Sequence, residues 1–309
     1  MKRHCYLLAI TIFCQLLSWQ TAYSQGNTYT LRIMTYNIRH GAGMDDVIDL
    51  DRQAGVINEA MPDVVGLQEV DSCVKRSSYR PQAALLGNKT GMYATFGGAI
   101  PLTGGKYGVA ILSKEQPLAV HHMPLPGTEK RTLLVCEFPE YVFATTHLDL
   151  DEECRLSSLD TIIEEAESWG DKPFFICGDW NDLPSSTLIT KMKKAGFVFL
   201  NGVTNNSANY TFPAGKPTKT IDYIASYGRV VKTIRKRTVI NAPDASDHRP
   251  VLVEVTLESY STGIESPETV DGSEQEDGIY DLSGRKMPGG RLPSGLYIQG
   301  SSRRKILVK

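Results

Sequence analysis

At 309 residues the chain is long enough for one large domain or two smaller ones with a sizeable core, and its composition is that of an ordinary globular protein. It carries 33 Lys+Arg against 35 Asp+Glu, and without Lys2 and Arg3 in the first 24 residues the balance is 31 against 35. So slight an acidic excess excludes polyanion binding driven by net charge and leaves only a local basic patch open.

The amino terminus reads as a secretory signal. Lys2, Arg3 and His4 form a positive start, Tyr6 to Leu17 is mostly apolar, and Ala22, Tyr23 and Ser24 offer a small-x-small cleavage site. Residues 1–24 are therefore expected to be removed and the mature chain exported, to the periplasm, the cell surface or the medium. No later stretch is apolar enough to cross a membrane as a helix. Of the four cysteines that remain, Cys177 reads as a small core hydrophobe. Cys73 and Cys154 each lie in a loop just past a polar strand end, and export leaves a bridge between them open.

The first strand is expected over Leu31 to Asn37, followed by a loop through Gly41 and Gly43. Ala54, Ile57 and Ala60 then recur at helical spacing from Asp51 to Met61, where Pro62 stops the helix. A second buried strand, VVGLQE, runs from Val64 to Glu69 and ends in an acid. A helix around Gln82 to Leu86 leads to a strand near Met92 to Gly97. Strands with short connections follow at Tyr107 to Leu112, Leu118 to Met123, Leu133 to Phe138 and Tyr141 to His147, a spacing that suggests antiparallel hairpins. Leu156, Leu159, Ile162, Ile163 and Ala166 mark one face of a helix over Glu152 to Trp169.

The next stretch, FFICGDWND, passes from hydrocarbon to polar chemistry within nine residues. Phe174 to Cys177 read as a strand buried on both faces, Gly178 frees the backbone, and Asp179, Asn181 and Asp182 emerge at its carboxyl edge. Taken alone, this reads rather as a polar turn before the helix over Ser186 to Lys194, since Asp and Asn are ordinary turn residues. Further strands are expected at Ile221 to Ala225, Val230 to Ile240 and Val251 to Leu257. Strands punctuated by helices, with antiparallel pairs between, imply an α/β protein of two sheets packed face to face with helices outside. Residues 259–277, rich in Ser, Gly, Glu and Asp, read as a linker, and 278–309 as a small β appendage with turns at Ser283-Gly284 and Gly289-Gly290.

The polar residues that end or follow buried strands form a set: Asn37, Glu69, His147, Asp179 with Asn181, Asp222, and Asp247 with His248. Desolvating so many acids needs compensation from a metal, a ligand or a hydrogen-bond network. Four acids and two amides beside two histidines, with no cysteine ligand, suit Mg²⁺ or Mn²⁺ better than Zn²⁺. Phosphoester cleavage needs such a set: a hard cation on the phosphoryl oxygens, an acid or His to take a proton from water, and donors for the developing charge.

MTYNIRHG, PDVVGLQEV, YGVAILSK, TTHLDL, ICGDWND, TIDYI and SDHRPV occur in this order along residues 29–258. In these pieces the chain resembles the endonuclease/exonuclease/phosphatase superfamily of metal-dependent phosphohydrolases. The resemblance implies a four-layer α/β/β/α sandwich of two mainly antiparallel sheets, with residues 25–258 as the catalytic domain. It implies Glu69 as the principal metal ligand, aided by Asn37 and Asp247. Asp179 would activate or orient the attacking water, and Asn181 would contact the phosphate or Asp179. His248, oriented by Asp222, would act as base or phosphate clamp, and His147 would polarise the phosphate or protonate the leaving oxygen. Arg39, Arg76 and Arg131 are candidates for phosphate contact, each with surface ion pairing as the alternative.

Two positions depart from DNA-acting branches of that family. Arg39 stands where some members that act on abasic DNA have an acid, and Asp71 stands where pancreatic-type deoxyribonucleases have an Arg. The tail, IYDLSGRK followed by LPSGLYI, resembles appendage or sorting segments of secreted Bacteroidetes proteins. The resemblance therefore implies an exported, divalent-metal-dependent phosphodiesterase or phosphatase, on a small-molecule or lipid head-group phosphoester. The alternatives are an extracellular nuclease, with nucleic acid as partner, and a binding protein that kept the fold without turnover.

Overall fold

Successive side chains leave opposite faces of a strand, and that alternation sorts the apolar residues into layers. In β1 (Thr28–Asn37), Leu31 and Ile33 enter one core cluster while Met34 and Tyr36 enter another. In β8 (Phe174–Asp179), Phe175 and Cys177 share the cluster of Leu31 and Ile33, whereas Phe174 and Ile176 face a third. The shared cluster lies between two sheets. The other two lie beneath helices: α1 (Leu50–Ala60) and α2 (Gln82–Thr90) on one side, α3 (Glu152–Ser168) and α4 (Thr187–Lys194) on the other. The result is the expected α/β/β/α sandwich. The computed structural model describes residues 28–260, 279–280, 286–287, 295–299 and 304–308.

The first sheet has the order β11-β12-β1-β2-β4-β3, with β2 at Val64–Ser72, β3 at Tyr93–Leu102, β4 at Gly105–Ser113, β11 at Val231–Val239 and β12 at Val251–Glu258. The second has the order β5-β6-β7-β8-β10-β9, with β5 at Ala119–Leu125, β6 at Arg131–Glu137, β7 at Val142–His147, β9 at Phe197–Phe199 and β10 at Asp222–Tyr227. Only β1 with β2 and β7 with β8 run parallel. Each of those pairs is joined through a helix, α1 or α3, because parallel neighbours need a crossover. The one strand absent from the sequence reading is β9, whose three residues are too short to show a pattern.

Close approach of the sheets depends on Gly66. A Cβ there would stand 2.2 Å from Cys177 Sγ and 2.5 Å from Thr145 Oγ1. Gly66→Ala is expected to destabilise the fold by roughly 1–3 kcal/mol, the scale of overpacking; an unchanged denaturation midpoint would show that the sheets yield there.

The four cysteines are free thiols, which corrects the bridge considered between Cys73 and Cys154. Cys73 follows β2 of the first sheet, whereas Cys154 sits in the first turn of α3, which covers the second. They belong to different halves of the sandwich. Burial pushes the Cys177 thiol up to about 12 and Cys136 up to about 11, consistent with inert core residues.

The chain divides into two units at Tyr260. In the second, β13 (Ile279–Tyr280), β14 (Gly295–Gln299) and β15 (Arg304–Val308) form a small antiparallel sheet. The expected signal over residues 1–24, most of the expected linker, and the turns at Ser283-Gly284 and Gly289-Gly290 lie outside the described residues. Among the described residues, no helix is long and apolar enough to cross a membrane.

Candidate active site

Strand register assembles the site. In the second sheet, His147 of β7 stands directly beside Asp179 of β8, and Asp179 stands directly beside Asp222 of β10. Each lies an even number of residues from a side chain in the inter-sheet core: Phe143, Cys177 and Ile224, respectively. All three are therefore delivered to the inner face, at one edge of the sandwich. Asn37 arrives there from β1 by the same parity, in step with Leu31 and Ile33.

Glu69 needs a different device. Leu67 and Val70 both enter the core beneath α1 and α2 although they are three residues apart. An uninterrupted strand would turn them to opposite faces. A bulge between them absorbs the extra residue, with Glu69 at φ 57, and this turns the carboxyl group toward the cleft while Val70 stays in the core. Just below, Thr35, Gln68 and Thr145 form a hydrogen-bonded chain that ties the sheets together, with links of 3.3 and 2.9 Å.

Asn37 donates from Nδ2 to Glu69 Oε1 and to Asp179 Oδ2, both at 3.0 Å. Asp179 Oδ2 also lies 3.5 Å from His248 Nε2 and 3.6 Å from His147 Nε2, and its Oδ1 accepts from the Asn181 backbone at 3.0 Å. On its far side, His248 Nδ1 meets both oxygens of Asp222 at 3.0 and 3.2 Å. Phe212 packs on the His248 ring with centroids 4.8 Å apart. The five groups Glu69, Asn37, Asp179, His248 and Asp222 thus form one connected chain, drawn from both sheets.

Electrostatics separates the two histidines. Burial works against charge on His248, but Asp222, Asp179 and Asp247 outweigh it and push the imidazole up to about 10. His147 is lowered to about 4, chiefly by burial, with Arg131 and His248 adding to the fall and Asp179 opposing it. Its Nε2 lies 3.1 Å from Asn181 Nδ2, a nitrogen that also donates to the Leu148 carbonyl at 3.0 Å. Receiving that donor places the proton of the neutral ring on Nδ1, which has no partner in the structure. The Asn181 amide nitrogen thus links His147 to the chain that follows it, and the backbone of Asn181 makes the contact with Asp179.

Two groupings of ligand atoms compete to hold a cation. Asp179, Asp222 and His248 offer atoms within 4.8 Å of one another, but both Asp222 oxygens already face His248. Glu69 and Asp247 share the cleft without such a commitment. Burial raises the Glu69 carboxyl, Asn37 opposes that rise, and the neighbouring Asp247 and Asp179 add to it. A hard divalent cation between these carboxylates would turn repulsion into attraction, so the donor set fits the metal that the sequence suggested.

The cleft measures about 500 Å³. Of the three candidate arginines, Arg131 lines it, buried and paired with Glu129 at 3.1 Å and Asp149 at 3.5 Å. Arg39 and Arg76 do not line it. Arg39 pairs with Asp46 at 2.8 Å and stands behind Asp247 at 3.9 Å. Arg76 makes a two-point contact with the fully buried Asp71, at 2.8 and 2.9 Å. That pair accounts for Asp71, the acid found where a groove-reaching arginine was looked for. Sequence reasoning missed Tyr107, Glu129, Leu150, Leu183 and Lys219 in the lining, and left Asp182, noted beside Asp179, out of the candidate set. It also missed Arg155, a buried guanidinium behind it. The motifs YGVAILSK, TTHLDL and ICGDWND, which include Tyr107, Leu150 and Asp182 respectively, carried the only signal for any of these side chains.

A family model described as the Endonuclease/Exonuclease/phosphatase family matches residues 34–248. Among solved structures, the chain is similar to an endonuclease/exonuclease/phosphatase from Bacteroides vulgatus, with 21% identity, a TM-score of 0.61, and coverage of 74% of this chain and 100% of that one. It is also similar to one from Beutenbergia cavernae DSM 12333, with 22% identity, a TM-score of 0.60, and coverage of 74% and 72%. ANGEL2, described as a 2′,3′-cyclic phosphatase, aligns at 19% identity and a TM-score of 0.54, covering 75% and 96%. No curated protein sequence matches the chain.

Proposed function

The chain belongs to the endonuclease/exonuclease/phosphatase family, whose enzymes are generally divalent-metal dependent, and on that premise we propose that it is an exported phosphodiesterase or phosphatase working with Mg²⁺ or Mn²⁺. The observation that carries the reading is the unbroken chain from Glu69 through Asn37, Asp179 and His248 to Asp222, beside one cleft. Phosphoester chemistry in a similar fold, as in the cyclic phosphatase, adds support. Export rests on the character of residues 1–24.

A divalent cation held by Glu69 and Asp247 would offset charge on the phosphoryl oxygens. Asp179 would orient the attacking water and take its proton, with the Asn37 amide steadying the carboxylate. His248, charged and pinned by Asp222, is a donor rather than a base, and its Nε2 would hold a phosphoryl oxygen as charge develops. His147, neutral and locked to Asn181, shapes the other side of the cleft beside Arg131.

The cleft argues against a nucleic-acid track. Five carboxylates, of Glu69, Glu129, Asp179, Asp182 and Asp247, line it against Arg131, Lys219 and the charged His248, which Asp222 already pairs. Backbone-tracking proteins neutralise successive phosphates with Lys and Arg. Hydrolysis of an aryl phosphodiester is expected with Mg²⁺ or Mn²⁺, to disappear with chelator and return on adding metal, while supercoiled plasmid survives the same treatment. Absence of metal-dependent turnover on every phosphoester tried would instead favour a binding protein, and rapid plasmid cleavage a nuclease.

A further inference from the structure

The cleft lining mixes polar and apolar side chains. Tyr107, Glu129 and Arg131 are among the polar ones. The apolar ones include Leu150 and Leu183, 75% and 45% exposed, with Ile221 and with Phe212, which packs on His248. A single exposed leucine is unremarkable in a folded protein. These two are different in where they stand and how they are held. Leu150 comes three residues after His147 and Leu183 four after Asp179, so both flank the proposed reaction centre.

One buried side chain fixes both loops. Arg155 donates from Nη1 to the carbonyls of Asp149 at 3.0 Å and Leu150 at 2.6 Å, and its Nε meets Asp182 Oδ2 at 3.1 Å. Asp149 Oδ1 takes the Asp151 N–H at 2.9 Å, closing the first loop. In the second, Asp182 Oδ1 takes the Leu183 N–H at 2.9 Å, and the Leu183 carbonyl accepts from Ser186 N at 3.0 Å. The leucines therefore project from backbone held on both sides of each, where a slack loop would let them fold against the core.

We propose that Leu150 and Leu183 form an apolar subsite beside the phosphoester site, and that the substrate carries an alkyl or aryl group on its phosphate. The proposal deepens the hydrolase reading and rests on it. Charge points the same way, since Arg131 is already paired with Glu129 and Asp149 and a second phosphate would face the remaining carboxylates of the cleft. An apolar substituent, by contrast, gains by leaving water against the leucines.

The test is the binding of alkyl monophosphates from methyl to hexyl, followed by calorimetry with Mg²⁺ present. Affinity is expected to rise about fourfold with each methylene, the scale of apolar transfer. In the double variant Leu150→Ser/Leu183→Ser that slope should flatten, with the melting temperature preserved because both side chains are solvent-facing. Affinity independent of chain length in the parent protein, or an equal slope in the variant, would overturn the subsite. So would loss of zwitterionic phospholipid vesicle binding in the variant with the slope intact, which would make the leucines a membrane contact. Turnover of aryl diesters is scored separately: a chain-length slope without any turnover would sink the hydrolase reading, and turnover with a flat slope only the subsite.

Discussion

Asp179→Asn is expected to lower kcat on an aryl phosphodiester by about 10²–10⁴-fold, the range of positioned acid–base groups. The substitution keeps the shape and leaves an Oδ1 acceptor for the Asn181 N–H, so folding should survive. What it removes is the carboxylate oxygen on which the Asn37 amide and both imidazoles converge, at 3.0, 3.5 and 3.6 Å. An amide there can neither take a proton from water nor balance the charge on His248. His248→Ala should cost about 10²-fold or more by removing the donor that Asp222 steadies. Because the two side chains act in one chain of contacts, the double variant should lose much less than the product of the single losses. Single-turnover rates at saturating Mg²⁺ measure this directly. Near-normal rates in both single variants would place the chemistry elsewhere.

Glu69→Gln should abolish the metal response while sparing the metal-free fold. The glutamine carbonyl can still accept from Asn37 Nδ2, and the substitution removes one of the carboxylates crowded with Asp247 and Asp179. The metal-free variant should therefore melt no lower than the parent. In the parent, Mg²⁺ at about 100 times its dissociation constant should stabilise the fold by roughly 2.7 kcal/mol through mass action alone. The variant should show almost none of that rise, and its activity should need on the order of 100-fold more Mg²⁺, if any is recovered. Equal thermal shifts with Mg²⁺ in both proteins would remove Glu69 from the metal site and turn attention to the Asp179, Asp222 and His248 group.

Both expectations start from features visible in the linear chain. Buried strands announce themselves by hydrocarbon at alternating or consecutive positions, and a polar residue at the end of such a run is conspicuous because burying it is costly. That is why Asn37, Glu69, His147, Asp179 and Asp222 could be picked out together, and why the layers follow from Leu31, Met34, Phe174 and Phe175. The arginines were legible only as charges. Nothing near Arg76 in the chain tells whether its guanidinium meets a phosphate or the buried carboxylate of Asp71 five residues away.

The amino-acid sequence by itself determined the strands, the helices that cover them and the polar groups at the strand ends, since periodicity and desolvation cost are properties of a short stretch of chain. Tertiary structure decided the rest. Pairing across β7, β8 and β10 set His147, Asp179 and Asp222 side by side. A bulge whose need appears only when Leu67 and Val70 must share one core turned Glu69 inward. Arg155, reaching Asp182 from 27 residues away, held out two leucines that the sequence left as loop. Each depends on which groups meet in space, and meeting is fixed by sheet register and layer packing, to which no local pattern has access.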